Sequence, residues 1–299
     1  MFNPEHGLVP HISRLATAHN LALDEASISV NELGLDFRVA TAETLDGEAW
    51  VLRVPRRHDV IARAETEARL LQAVAPHLSA AVPDWRIHTD ELIAYPLLPG
   101  KPGLTLDGAG APVWHFDVAS LTYAESLGDL LAELHAIDPA EVRDTGVVFR
   151  TSDETRQSWE RDIETVAAEF DIAGNLRDRW QRWLHDDSYW PEHAVVTHGE
   201  IYAAHTLILD ERITAVLDWT TASVGDPAKD FMFQQVTAPP EVFDATVQRY
   251  VERGGTIWPR LAEHCAEIFA ASPVPYGLFA LQIGDPEHRQ AAAVQLKPQ

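Results

Sequence analysis

Cysteine is almost absent from these 299 residues: Cys265 stands alone, so no internal disulfide can form and an oxidising compartment would add nothing to stability. Its neighbours Ala262, Ile268 and Phe269 fit a helix in which the thiol is a buried structural group rather than a nucleophile. Basic residues are scarce as well. The 23 Lys+Arg face 46 Asp+Glu, a formal charge of -23 that repels phosphate backbones and anionic lipid, which argues against nucleic acid or a membrane surface as partner. Long apolar runs are missing too: Pro4, Glu5, His6, His11 and Arg14 interrupt the first 23 residues, so no signal peptide or membrane span is expected there. The expectation is a cytoplasmic monomer. No internal repeat or low-complexity block marks disorder.

What is present is ordinary globular material, 46% hydrophobic and 23% charged, in a chain long enough for two lobes. Residues 28–54 alternate like strands: Ile28 and Val30, then Phe37 and Val39, then Trp50, Leu52 and Val54. Leu45-Asp46-Gly47 between them reads as a hairpin turn, because Asp-Gly accepts the positive backbone angles that tight hairpins need. A helix follows over 60–74, with Ile61, Ala64, Ala68 and Leu71 as its expected inner stripe and Pro76 as its stop. Two short strands around Ile87 and Leu92 to Tyr95 complete the sheet. Pro96, Pro99, Gly100, Pro102 and Gly103 then break regular structure, which places a hinge at 98–103 between an N-terminal lobe (1–97) and a C-terminal lobe (104–299).

The second lobe is expected to be mainly helical. Leu127, Leu130, Leu131, Leu134 and Ile137 fall at helical spacing, as do apolar residues over 154–184. One β interlude interrupts it, at 194–197, 206–209 and 213–217 with Asp210-Glu211 as a turn. The fold class is therefore α+β, bilobed, with an antiparallel sheet plus one helix in the first lobe.

The interlude carries the chemistry. His198-Gly199-Glu200-Ile201-Tyr202-Ala203-Ala204-His205, followed by Val216-Leu217-Asp218-Trp219, sets two carboxylates and a ligating histidine at the ends of short apolar strands. Phosphoryl transfer requires a carboxylate that orients the attacking hydroxyl and further ligands that hold magnesium on the phosphates. This segment resembles the catalytic and metal-binding loops of the aminoglycoside-phosphotransferase-type, protein-kinase-like family, whose common forms are HGDxxxxN and then (I/L)D. By that resemblance Glu200 stands at the catalytic aspartate, His205 at a magnesium-binding asparagine and Asp218 at the main magnesium-binding aspartate. The resemblance further implies a bilobed kinase fold with Arg53 on the third strand facing the phosphates, Glu67 as its helix partner ahead of Glu65, and Gly34 in the turn over the nucleotide. Tyr95 and Leu97 would flank the purine in the hinge, where backbone groups can meet its edge.

Histidine at 205, with the run Asp226-Pro227-Ala228-Lys229-Asp230-Phe231, is similar to the macrolide 2'-phosphotransferase branch; Asp226 and Asp230 themselves are expected to be structural, through capping and loop hydrogen bonds. That branch implies Mg2+, GTP in preference to ATP as donor, and the desosamine 2'-hydroxyl of a macrolide antibiotic as acceptor. Tyr202, Phe231, Tyr276 and Phe279 are the substrate-binding candidates, because a large apolar ring needs apolar walls. An aminoglycoside or metabolic alcohol as acceptor, a catalytically impaired nucleotide-binding module, and a zinc hydrolase built on His193, His198 and His205 are the alternatives.

Overall fold

The computed structural model describes residues 5–32 and 36–297. Helix α1 (Glu5–Ala18) opens the chain, although the sequence reading assigned no element there. Its Ile12, Leu15 and Ala16 recur at helical spacing and are buried, and they outweigh the hydrogen bond that Pro10 removes from the second turn. Strands β1 (Ser29–Asn31), β2 (Phe37–Glu43) and β3 (Ala49–Pro55) form the expected meander, and the turn before β3 places Gly47 at φ 89°. Helix α2 (Asp59–Val74) precedes β4 (Ile87–His88) and β5 (Ile93–Pro96). All pairs in the resulting sheet, ordered β1-β2-β3-β5-β4, are antiparallel.

Alternation along β3 sends its side chains to two faces. Leu52 and Val54 pack with α1, whereas Val51 joins Val60 and Ala64 of α2 on the other side. The inner stripe of α2 differs in phase from the expected one: Ala64, Glu67, Leu71 and Val74 are buried, while Ile61 and Ala68 are only partly so. The shift has a physical cause, since burying Glu67 gives the Arg53 guanidinium a partner.

Beyond β5, β6 (Lys101–Pro102) adds to the edge of the second-lobe hairpin, and β7 (Leu104–Leu106) pairs with β8 (Pro112–Trp114). There follow α3 (Leu121–His135), β9 (Val148–Phe149), α4 (Ser152–Glu169) and α5 (Gly174–His185). The β interlude lies where the sequence places it: β10 (Val195–Thr197), β11 (Thr206–Leu209) and β12 (Arg212–Val216). Strand β13 (Ser223–Gly225) pairs with β10, and α6 (Ala228–Thr237), α7 (Pro240–Glu252), α8 (Leu261–Ala270), α9 (Pro273–Ile283) and α10 (Pro286–Leu296) complete the chain.

Helix α2 and the segment after it join the halves. Leu70, Leu71 and Val74 belong to the same core as α3 and α6, and Arg69 Nε donates to the Thr145 carbonyl at 2.9 Å. The Ala81 backbone clamps β12, donating to Thr214 O at 2.8 Å and accepting from Val216 N–H at 2.9 Å. Arg53 and Glu67 are thereby held at a set position against the loop that follows β12. No described helix is long and apolar enough to cross a membrane.

Candidate active site

The β10–β13 pairing brings the two halves of the motif together. Strand β10 ends at Thr197, so the loop from His198 to His205 leaves the sheet beside Asp218, which follows β12. Gly199 has φ 86°, and a Cβ there would lie 2.6 Å from Thr221 O, so no other residue fits that turn without displacement. Asp218 is itself in the left-handed region (φ 61°, ψ 73°), and Thr220 Oγ1 donates to its Oδ1 at 2.6 Å. A non-glycine residue in that region costs on the order of 1 kcal/mol or more, which the surrounding contacts must offset.

One buried carboxylate pins the loop. Asp230 Oδ2 accepts His198 N–H at 3.0 Å and His135 Nε2–H at 3.1 Å, and Oδ1 accepts Gly199 N–H at 2.6 Å. Its neighbour Asp226 accepts Ala228 N–H at 2.9 Å and contacts His264 Nε2 at 2.6 Å. Both carboxylates are spent on internal bonds to the backbone and to histidines. His198 spends both ring nitrogens internally: Nε2 donates to Leu217 O at 2.9 Å and Nδ1 accepts Glu200 N–H at 3.2 Å. Burial pushes its pKa down to about 4, consistent with a neutral ring that leaves no nitrogen for zinc.

His205 differs. Its Nδ1 lies 3.1 Å from the Glu200 carbonyl, which can only accept, so Nδ1 carries a proton and Nε2 is the ring nitrogen turned toward Asp218. That Nε2 stands 3.7 Å from Asp218 Oδ2. Burial pushes the Asp218 carboxyl upward, but His205, Arg53 and the Thr220 hydroxyl outweigh it and hold the group below its ordinary value. Glu200 goes the other way: burial raises its pKa, opposed by His205 and reinforced by Asp218. Two neighbouring carboxyls with pKa values pushed apart suit a base beside a ligand.

Across the cleft, Arg53 Nη1 contacts Glu67 Oε1 at 3.0 Å, with the side chains 8% and 0% exposed. Glu65 is excluded as its partner, since it pairs with Arg69 at the surface. The guanidinium carbon lies 4.0 Å from the Phe37 ring centroid and 5.6 Å from that of Trp85. Burial works against the Arg53 charge, but Glu67, Tyr95 and Asp218 raise its pKa overall. Trp219 N–H also reaches Glu67 Oε1, at 3.4 Å, which ties α2 to the Asp218 turn. Tyr95 is buried at the back of this group, its hydroxyl pushed up to about 12 chiefly by burial. The Leu97 N–H is committed to the Ala49 carbonyl at 2.8 Å, so only its carbonyl and side chain remain for a purine. Gly34 lies outside the described residues.

An apolar cavity of about 220 Å³, partly open to solvent, abuts the loop from His198 to His205. Ile201, Tyr202 and Ala203 form one wall, and Leu104, Trp114, Phe116, Tyr123, Leu127, Phe233 and Gln234 form others. The Tyr202 ring centroid stands 4.4 Å from that of His205 and 4.9 Å from that of Phe233. Burial first, then Glu200 and Asp218, push its phenol up to about 12, so it stays a donor. The other substrate candidates need correcting. Phe231 is 1% exposed and packs on Tyr250, His135 and Phe243 in the core, because it sits on the opposite side of α6 from Phe233. Tyr276 and Phe279 stack on one another and meet His288 of α10 edge-on, and neither lines this cavity. The hairpin β7–β8 was missed altogether. Its signal was Leu104 and Leu106 alternating ahead of Asp107-Gly108, where Asp107 Oδ1 accepts from Ala109 and Ala111 N–H.

Residues 27–264 match the profile of the phosphotransferase enzyme family (APH). The macrolide 2'-phosphotransferase MphH from Brachybacterium faecium is 56% identical and superposes with a TM-score of 0.92, covering 97% of this chain and 98% of that one. A macrolide 2'-phosphotransferase type I is 41% identical with a TM-score of 0.90, covering 97% of each chain. YcbJ, an uncharacterized protein of Bacillus subtilis (strain 168), is 38% identical over 288 residues, 95% of this chain and 94% of its own. On the family match over most of its length, with identities of this order along nearly all of it, the chain belongs to the phosphotransferase enzyme family.

Proposed function

We propose that the chain is a macrolide 2'-phosphotransferase, moving the γ-phosphate of a purine nucleoside triphosphate, GTP by preference, to the desosamine 2'-hydroxyl and so inactivating the antibiotic. The observation that carries this reading is the apolar cavity whose wall begins at Ile201, the residue after Glu200. A large apolar ring seated there brings its amino sugar against the catalytic loop. A polycationic aminoglycoside would find hydrophobic walls instead of the acidic ones it needs. The 56% identity to the Brachybacterium faecium enzyme supports the same acceptor.

In this reading residues 1–97 hold the nucleotide, 98–103 form the hinge and 104–299 hold the acceptor. Arg53, steadied by Glu67, contacts the donor phosphates, and Tyr95 and Leu97 flank the purine. Glu200 accepts the hydroxyl proton as the new oxygen–phosphorus bond forms and the bond to the nucleoside diphosphate breaks, in line and without a phosphoenzyme.

Magnesium fits the donor set. It is commonly held by one or two protein carboxylates with phosphates and waters rather than by a closed protein cage. Asp218 supplies such an oxygen and His205 an adjacent ring nitrogen, while no described cluster of three or more His, Cys, Asp or Glu stands ready as a cage. When bound, the ion would neutralise charge on the donor phosphates.

Purified protein with magnesium, GTP or ATP, and a panel of desosamine-bearing macrolides tests the reading through nucleoside diphosphate release and a phosphate-sized mass gain on the drug. The expected result is a gain with GTP exceeding that with ATP, lost in Asp218→Ala. No gain on any macrolide would defeat the acceptor assignment.

A further inference from the structure

Asp218 carries its carboxylate on a backbone that is fixed from elsewhere. Its left-handed φ and ψ lead into the 3-10 turn Trp219–Thr221. Trp219, 2% exposed, anchors that turn: its backbone N–H reaches Glu67 Oε1 at 3.4 Å and its indole N–H donates to Val216 O at 3.2 Å. What the backbone leaves open is the carboxylate itself, which is 41% exposed and turns about its χ1 and χ2 bonds. Among the described residues one hydroxyl restrains it. Thr220 Oγ1 donates to Asp218 Oδ1 at 2.6 Å, a length typical of a hydroxyl on a charged carboxylate, and no other described group donates to either oxygen. His205 Nε2 stands 3.7 Å from Oδ2, too far for a hydrogen bond. Oδ1 is thus tied back, and Oδ2 is the oxygen turned toward His205.

We propose that Thr220 is a positioning residue: its hydroxyl holds Oδ1 and so aims the Asp218 carboxylate at the divalent cation that accompanies the donor phosphates. The inference rests on the magnesium reading above. A group that orients a ligand commonly contributes about 10- to 100-fold to metal affinity without touching the ion, because an unrestrained carboxylate gives up its rotation on binding. The Thr220 hydroxyl makes no other described hydrogen bond, so the isosteric Thr220→Val removes this one contact and keeps the shape.

The probe is Mn2+, which takes the same oxygen ligands as magnesium and is visible by electron paramagnetic resonance. It is titrated into protein saturated with GDP, and the free ion is read and corrected for binding to GDP alone. Thr220→Val should bind the ion about 10- to 100-fold more weakly than wild type, whereas Thr220→Ser, which keeps the hydroxyl, should stay within about threefold. GDP affinity in EDTA and the melting temperature should match wild type in both variants, since Arg53 and the core are untouched. Thr220→Ala replaces the valine variant should that one fail to fold. Wild-type ion affinity in Thr220→Val, or a loss in Thr220→Ser as deep as that in valine, refutes the positioning bond while the magnesium reading stands. Absence of ion binding to wild type beyond that of GDP alone overturns both.

Discussion

Replacing Asp230 with Asn removes half of what holds the catalytic loop while leaving its size unchanged. The native carboxylate accepts three N–H groups, from His198, Gly199 and His135, and is fully buried. An asparagine has one acceptor oxygen. Set where Oδ2 lies, it still serves His198 and His135, but its NH2 then faces Gly199 N–H, which the native Oδ1 meets at 2.6 Å. Two donors confront each other without water. Losing one charge-assisted bond and stranding a buried donor costs about 3 kcal/mol. At about 2–4 °C per kcal/mol for a chain of this size, the melting temperature should fall by about 6–12 °C. The loop displacement also moves Glu200, so kcat should drop by about 10- to 100-fold. The KM for nucleotide should hold, because Arg53 and Glu67 are untouched. Thermal unfolding by circular dichroism and steady-state kinetics on the same preparation read all three. A variant that melts and turns over like wild type would refute the pinning argument.

Further outcomes follow from the same geometry. Arg53→Lys keeps the charge but loses the flat contact with Phe37 and the fork that reaches Glu67, so the KM for nucleotide should rise about tenfold while that for the acceptor stays constant. Gly199→Ala meets both a positive φ and the Thr221 carbonyl, and should destabilise the fold by about 2 kcal/mol or more in urea titration. His198 has a folded pKa of about 4 against about 6.5 unfolded, so between those values the unfolded chain binds the extra proton. Its contribution to stability is therefore complete above pH 6.5 and falls as pH drops towards 4, by up to ~3 kcal/mol. Unfolding free energies measured across that range should show the slope, and His198→Asn should flatten it.

How far the sequence reaches depends on whether a feature is local. Glu200, His205 and Asp218 lie within one short β excursion, so their spacing alone implies that they meet, and they do. Arg53 and Glu67 follow from the family resemblance; the strand alternation of β3 and the helical phase of α2 do not by themselves bring them together. The observed inner stripe of α2 departs from Ile61, Ala64, Ala68 and Leu71 because the ion pair with Arg53 turns Glu67 inward. The acceptor cavity was not legible. It is assembled from β7–β8, α3, the catalytic loop and α6, four segments whose apolar residues look the same in sequence whether they fill a core or line a hollow. Phe231 and Phe233 show the limit most directly: two residues apart on one helix, they point to opposite sides, and only the packing of α6 against α7 decides that Phe231 is core and Phe233 is wall. A reaction can thus be read from a motif whose members are neighbours, whereas a substrate site built from distant apolar segments has to be located in three dimensions.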